Sequence, residues 1–171
     1  MFGEGADELF GLCGANSGDL EDIVKRASVS SIEYGIRIAG QANISTGAKM
    51  PMYYYNFDAE IPGWDNPGTF HSVDLWFFFE TLAKCWRPFV GKHYDLARQM
   101  CNYWTNFMRN GNPNGQDSTG VMMTQWEPYT PDAPNEMVFG DSPELVKDGP
   151  SKLMDFLVQQ YFLGQLMSER G

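Results

Sequence analysis

Three cysteines in 171 residues, Cys13, Cys85 and Cys101, are odd in number and form no C-x-x-C pair. Neither a disulfide framework nor a zinc knuckle is suggested, and reduced thiols in a cytoplasmic setting fit best. Positive charge is also scarce. Twelve Lys and Arg face 22 Asp and Glu, for a net charge of −10 and a pI of about 4.5, which opposes attraction to nucleic acid and to anionic membrane surfaces. Long apolar runs are missing: Val73 to Leu82 is interrupted by Asp74 and Glu80 and is too short to span a bilayer. Met1-Phe2 is followed by glycine and acidic residues rather than a basic and apolar leader, so no secretion signal is expected in this chain. With only two histidines there is no H-x-x-x-H or H-E-x-x-H spacing. A metal centre built from His71, His93, Asp58, Glu60 and Asp65 is therefore not expected, and no organic cofactor motif is present. There is no internal repeat and no low-complexity tract.

What the chain has in quantity is apolar and aromatic surface. The hydrophobic share is 43%, with five Trp, eight Tyr and twelve Phe. That suffices for one packed core, and residues 1–171 are expected to form a single unit. Helical spacing occurs at Ala6 to Cys13, in a segment opening near Ser17 to Asp19, and from Ser28 to about Asn43, where Gly35 and Gly40 suggest close packing. Lys49 to Asp58 changes character: Met50, Met52, Tyr53, Tyr54, Tyr55 and Phe57 predict a central parallel strand buried on both faces. The Gly- and Pro-rich stretch Ala59 to Thr69 then reads as the loop leaving that strand's C-terminal end, the edge where open α/β sheets bind ligands. Ser72 to Ala83 predicts a helix ended by Trp86-Arg87-Pro88. A longer helix runs from Lys92 to Arg109 with His93 exposed near its start, and Asn110 to Gly115 terminates it. Short strands at Glu136 to Gly140 and Glu144 to Lys147 precede a last amphipathic helix after Pro150.

His71 stands where the loop meets the aromatic segment, in Gly68-Thr69-Phe70-His71-Ser72-Val73-Asp74-Leu75. An imidazole at a strand's C-terminal rim suits proton transfer, although a lone histidine among aromatics is more often a packing or capping residue. No G-x-S-x-G nucleophile motif accompanies it. Asp74 is read as a supporting residue in the first turn of the following helix, with Ser72 beside it. Trp64, Phe70, Trp76 and Phe77 could line a substrate pocket, although Trp76 and Phe77 equally suit a core face.

Four segments in order resemble one family. Met52-Tyr53-Tyr54-Tyr55-Asn56-Phe57-Asp58 is similar to the strand before the catalytic histidine in type B carboxylesterases, which include bacterial para-nitrobenzyl esterases and, more remotely, cholinesterases. Phe70 to Phe79 resembles the histidine segment itself. Tyr103-Trp104-Thr105-Asn106-Phe107 with Gly111-Asn112-Pro113, and then Trp126-Glu127-Pro128-Tyr129, resemble the helix end and the Trp-Pro-x-Tyr turn that follow. The resemblance implies the C-terminal part of an α/β-hydrolase fold, mostly helices with two or three strands of the sheet. It implies a small-molecule ester as substrate and His71 as the general base of a Ser-His-Glu or Ser-His-Asp triad. The serine, the oxyanion hole and the acid would lie in an absent N-terminal portion, since Glu4, Asp7 and Glu8 suit a solvated helix face better than a triad. Strands without the rest of their sheet leave an edge and an apolar face for that missing half, or for self-association, to cover. The alternative is a non-catalytic, esterase-like binding or interaction module.

Overall fold

In a computed structural model the described residues are 5–15, 18–27, 31–47, 50–130, 132–147 and 151–168, and they divide into two compact units. The expected cap at Ser17, the start of a helix at Ser28, the acidic Glu4 and the helix start at Pro150 lie outside the described residues.

The first unit is helical. It holds α1 (Ala6–Leu12), α2 (Leu20–Ala27), α3 (Ser31–Ser45) and α6 (Lys152–Ser168). Asp19 opens α2 through its carboxylate, which accepts the Glu21 N–H at 3.0 Å and so satisfies an orphan donor of the first turn. Asp7 and Glu8 are exposed in the first turn of α1, as a solvated face requires. α3 and α6 meet through Tyr34, whose ring is edge-on to Tyr161 at 6.5 Å and whose hydroxyl donates to Leu157 O at 3.4 Å. Gly40 is buried, but no atom lies within 4 Å of a Cβ built on Gly35, so close packing does not explain that glycine.

The second unit holds β1 (Tyr55–Phe57), α4 (Asp74–Phe78), a 3-10 turn at Leu82–Lys84, α5 (Gly91–Asn110), β2 (Glu136–Phe139) and β3 (Pro143–Val146). The three strands form one sheet in the order β1-β2-β3. β1 runs parallel to β2 with Phe57 opposite Phe139, and β2 pairs antiparallel with β3. The parallel pair is joined by a crossover containing α4 and α5, as parallel strands require.

β1 is much shorter than the apolar run predicts, half-buried rather than buried on both faces, and at the edge of the described sheet. The residues before it are used elsewhere. Met52 bridges to Tyr129, and the Tyr54 carbonyl accepts the Trp126 indole N–H at 3.2 Å as well as Met137 N–H at 3.0 Å. Aromatic content marked the segment as sheet-like, but its backbone is shared with a loop.

The expected helix from Ser72 to Ala83 is also divided. α4 ends at Phe78, Glu80 takes φ +49°, and the chain resumes as the 3-10 turn. Phe77 and Phe78 before the break and Leu82 after it are all buried. α5 matches its prediction to within a residue at each end. Gly111 ends it at φ +67°, its N–H bonded to Phe107 O at 2.8 Å, a left-handed cap that favours glycine.

The core lies between α4, α5 and the sheet. Phe77, Met100, Tyr103, Met137 and Phe139 are fully buried there. The Phe139 ring centre is 5.7 Å from Tyr55, 5.8 Å from Tyr103 and 5.6 Å from Trp126, so a cluster of aromatic rings surrounds it. Among the described residues, no helix is long and apolar enough to cross a membrane.

Candidate active site

β1 delivers the chain to its C-terminal end at Phe57, and the loop that follows carries His71 back to the start of α4. Turn residues shape this loop. Gly68 has φ +60° and Asn66 φ +40°, conformations costly for most side chains but accessible to glycine and asparagine. His71 itself lies on a tight turn closed by the Val73 N–H on Phe70 O at 3.1 Å. Ser72 has φ +68°. This left-handed residue reverses the chain just after the histidine, so the imidazole stands exposed while Val73, two positions on, is only 1% exposed and anchored in the core.

Asp74 begins α4, where a carboxylate suits the helix dipole. Its Oδ2 accepts the Tyr55 hydroxyl at 2.9 Å. The bond links β1 directly to the helix after the histidine. Burial, followed by the neighbouring Asp74 carboxylate, raises the Tyr55 hydroxyl pKa far above that of a free phenol, so the group stays a donor. Asp74 is thus engaged with the strand.

The aromatic candidates separate by environment. Phe77 is core. Trp76 is half-buried, edge-on to Phe70 at 5.8 Å and to Phe89 at 6.3 Å, so it joins the core to the histidine turn. Phe70 remains partly exposed at 39%. Trp64 is 89% exposed, with the Trp86 ring 6.5 Å away. Phe70, Trp76 and His71 are therefore brought together around one turn, whereas Trp64 sits farther out on the loop beside Trp86.

Sequence reasoning passed over two participants. The local sequence of Trp86-Arg87-Pro88 signals only a helix end, yet Arg87 pairs with Asp65 in the histidine loop at 2.9 Å. The Arg87 guanidinium holds the Asp65 carboxyl below its ordinary pKa, chiefly through their hydrogen bonds, and Asp65 raises Arg87 in return. The pair's one signal in the sequence is an arginine among aromatics, which does not reveal its partner. The other is Tyr55, whose hydroxyl has a use that strand propensity does not register.

His93 corrects an expectation. It is 5% exposed, not solvent-facing, and its Nδ1 accepts the Val90 N–H at 3.0 Å while the His93 backbone N–H donates to Val90 O at 2.9 Å. The side chain thus caps the start of α5 from the third position, and its ring packs edge-on against Phe89 at 5.2 Å. Among the described residues there is no group of His, Cys, Asp and Glu that could hold a metal ion.

A family model for the carboxylesterase family matches residues 17–156. Acetylcholinesterase of Gallus gallus is 33% identical over 85 residues, which is 47% of this chain and 10% of that protein. Cocaine esterase of Homo sapiens is 33% identical over 76 residues, 40% of this chain and 13% of that protein. Among solved structures, an esterase from anaerobic Clostridium hathewayi, described as hydrolysing aliphatic aromatic polyesters, aligns with a TM-score of 0.55 at 20% identity. It covers 94% of this chain and 29% of that one. A thermophilic PNB esterase aligns with a TM-score of 0.53 at 19% identity over 61% of this chain and 21% of that one. These two structures share the fold, and the sheet and helices described above are part of an α/β-hydrolase architecture. The chain spans only about a tenth of the curated relatives' length.

Proposed function

Because this chain belongs to the carboxylesterase family, we propose that it supplies His71 as the general base of a serine esterase acting on small-molecule carboxylic esters. The observation that carries this reading is the exposed imidazole on the turn between the C-terminal end of β1 and α4, flanked by the buried Val73 and the Phe70–Trp76 contact. Such a ring is free to face a serine hydroxyl while its backbone is held.

In this mechanism His71 takes the proton of a serine hydroxyl as that oxygen attacks the ester carbonyl, then returns it to the departing alcohol. A water molecule repeats the sequence on the acyl-enzyme, with His71 again accepting and donating the proton. The serine, the acid that orients the imidazole and the oxyanion donors come from outside these 171 residues, which contain no G-x-S-x-G. Ser72 and Asp74 shape the turn and the helix start behind His71. Phe70, Trp76 and Trp64 offer aromatic surface to the ester. No cofactor takes part.

The chain alone is inactive in this reading, because removal of the nucleophile leaves at most weak residual catalysis. The surface it presents suits a covering partner. Phe79 is 70%, Met108 69% and Trp104 43% exposed. An N-terminal half of the family's domain, or a second copy of the chain, would bury them. The free thiols of Cys13, Cys85 and Cys101 suit a reducing, cytoplasmic compartment.

The test uses p-nitrophenyl acetate with the chain alone and with the chain mixed with the family's N-terminal half. Turnover only in the mixture, lost in His71→Ala, is the expected result. An inactive mixture, or full activity in His71→Ala, overturns the reading and favours a non-catalytic module.

A further inference from the structure

Between β1 and α4 the chain runs through residues 58–73 without regular structure, and a loop of that length does not hold a base in place by itself. One side chain from beyond α4 reaches into its middle. Arg87 donates from Nη1 to Asp65 Oδ1 and from Nη2 to Asp65 Oδ2, each at 2.9 Å, and from Nη1 to Pro62 O at 3.1 Å. The Arg87 side chain is only 7% exposed. Its guanidinium carbon lies 4.7 Å from the Trp86 ring centre and 5.8 Å from that of Phe70, the residue before His71.

Two further observations show that the fork is seated for its geometry. Arg87 Nε is buried without a hydrogen-bond partner among the described residues, so the arrangement favours the two outer nitrogens at the cost of the inner one. A Cβ placed on Gly63 would lie 2.5 Å from both Arg87 Nη1 and Asp65 Oδ1, so a side chain there would displace the pair from its present geometry.

We infer that Arg87 is a positioning residue for His71: with Asp65 it clasps the middle of the loop and, through Phe70, steadies the turn that presents the imidazole. The inference rests on the reading of His71 as the base. A planar, bidentate fork suits this task and a lysine does not, because one ammonium cannot hold both carboxylate oxygens, the Pro62 carbonyl and two aromatic faces together. A base displaced by about 1 Å costs on the order of 100-fold in rate, so a loosened loop acts on turnover more than on substrate binding.

The experiment introduces Arg87→Lys, Asp65→Asn and Gly63→Ala separately into the active assembly of this chain with the family's N-terminal half. Lys147→Ala, in the solvent-facing Lys147–Glu127 pair, serves as the control. Hydrogen exchange of the amides in residues 58–73 is read beside kcat and KM for p-nitrophenyl acetate. Each of the three variants is expected to speed loop exchange by about 10-fold while residues 96–103 of α5 keep their protection. In the same variants kcat should fall by about 10- to 100-fold, with KM within about twofold of the parent. Gly63→Ala keeps the charges and acts by crowding alone, so it remains informative if removal of a charge harms folding. Full turnover in Arg87→Lys, within an enzyme that His71→Ala inactivates, overturns the clasp alone. Full turnover in His71→Ala overturns both the base assignment and the clasp.

Discussion

The Tyr55 hydroxyl donates to Asp74 Oδ2 at 2.9 Å, tying the last strand residues before the histidine loop to the first helical turn after it. The bond closes the loop at its base, while the Arg87–Asp65 pair closes it nearer the middle. His71 is therefore carried on a segment held at both levels.

Removal of that hydroxyl tests the lower tie. Tyr55→Phe keeps the ring packing against Phe78 and Phe139 but leaves Asp74 without its donor. A loss of about 1.5–3 kcal/mol in unfolding free energy is expected for a hydrogen bond to a charged acceptor, measured by urea denaturation.

Alkaline pH should weaken the second unit through Tyr103. Burial pushes its hydroxyl up to about 12, with the Thr124 side chain opposing part of the shift. The unfolded chain releases this proton near pH 10, before the folded chain does. The stabilisation is therefore fully present below pH 10 and is lost as pH rises through about 12. Thermal melts across this range should show a steep decline that is shallower in Tyr103→Phe, which cannot ionise there.

Phe139 is the aromatic centre of the core. Phe139→Ala removes a ring in contact with Tyr55, Phe78, Tyr103 and Trp126, and an unfolding cost of about 3–5 kcal/mol is expected in denaturant titrations. A cost under about 1 kcal/mol would mean that the neighbouring rings collapse into the space.

His93 acts through the start of α5. His93→Ala deletes the acceptor of the Val90 N–H and the contact with Phe89, and should cost about 1–2 kcal/mol in unfolding free energy. Turnover by the assembled esterase should be retained at temperatures well below the melting point, since His93 caps a helix and His71 is the proposed base.

Asp117 holds the loop after α5. Its carboxylate pairs with Arg98 and accepts the Thr119 N–H at 2.9 Å, the Thr119 hydroxyl at 2.7 Å and the Val121 N–H at 3.0 Å. Asp117→Ala strands several donors at once, and a loss of about 3 kcal/mol, read as a lower urea midpoint, is the expected result.

Much of this was legible in the chain because it depends on near neighbours. α5 showed itself through apolar spacing, its end through Asn110-Gly111, β2 and β3 through two short apolar runs, and the turn before α4 through the Gly- and Pro-rich loop that leads into it. These signals belong to local backbone preference and to which face of an element must be buried.

Other features needed distant partners. Tyr53 and Tyr54 looked like strand interior, yet the Tyr54 carbonyl serves the Trp126 indole, a residue 72 positions away. His93 looked exposed until Phe89 and Val90 folded against it. Arg87 and Asp65 lie 22 positions apart, and nothing in the composition of either segment specifies their pairing. Periodicity and turn chemistry act over a few residues and so could be read directly. Which carboxylate a buried guanidinium meets depends on how the crossover folds back over the sheet, and that is settled only when the core closes.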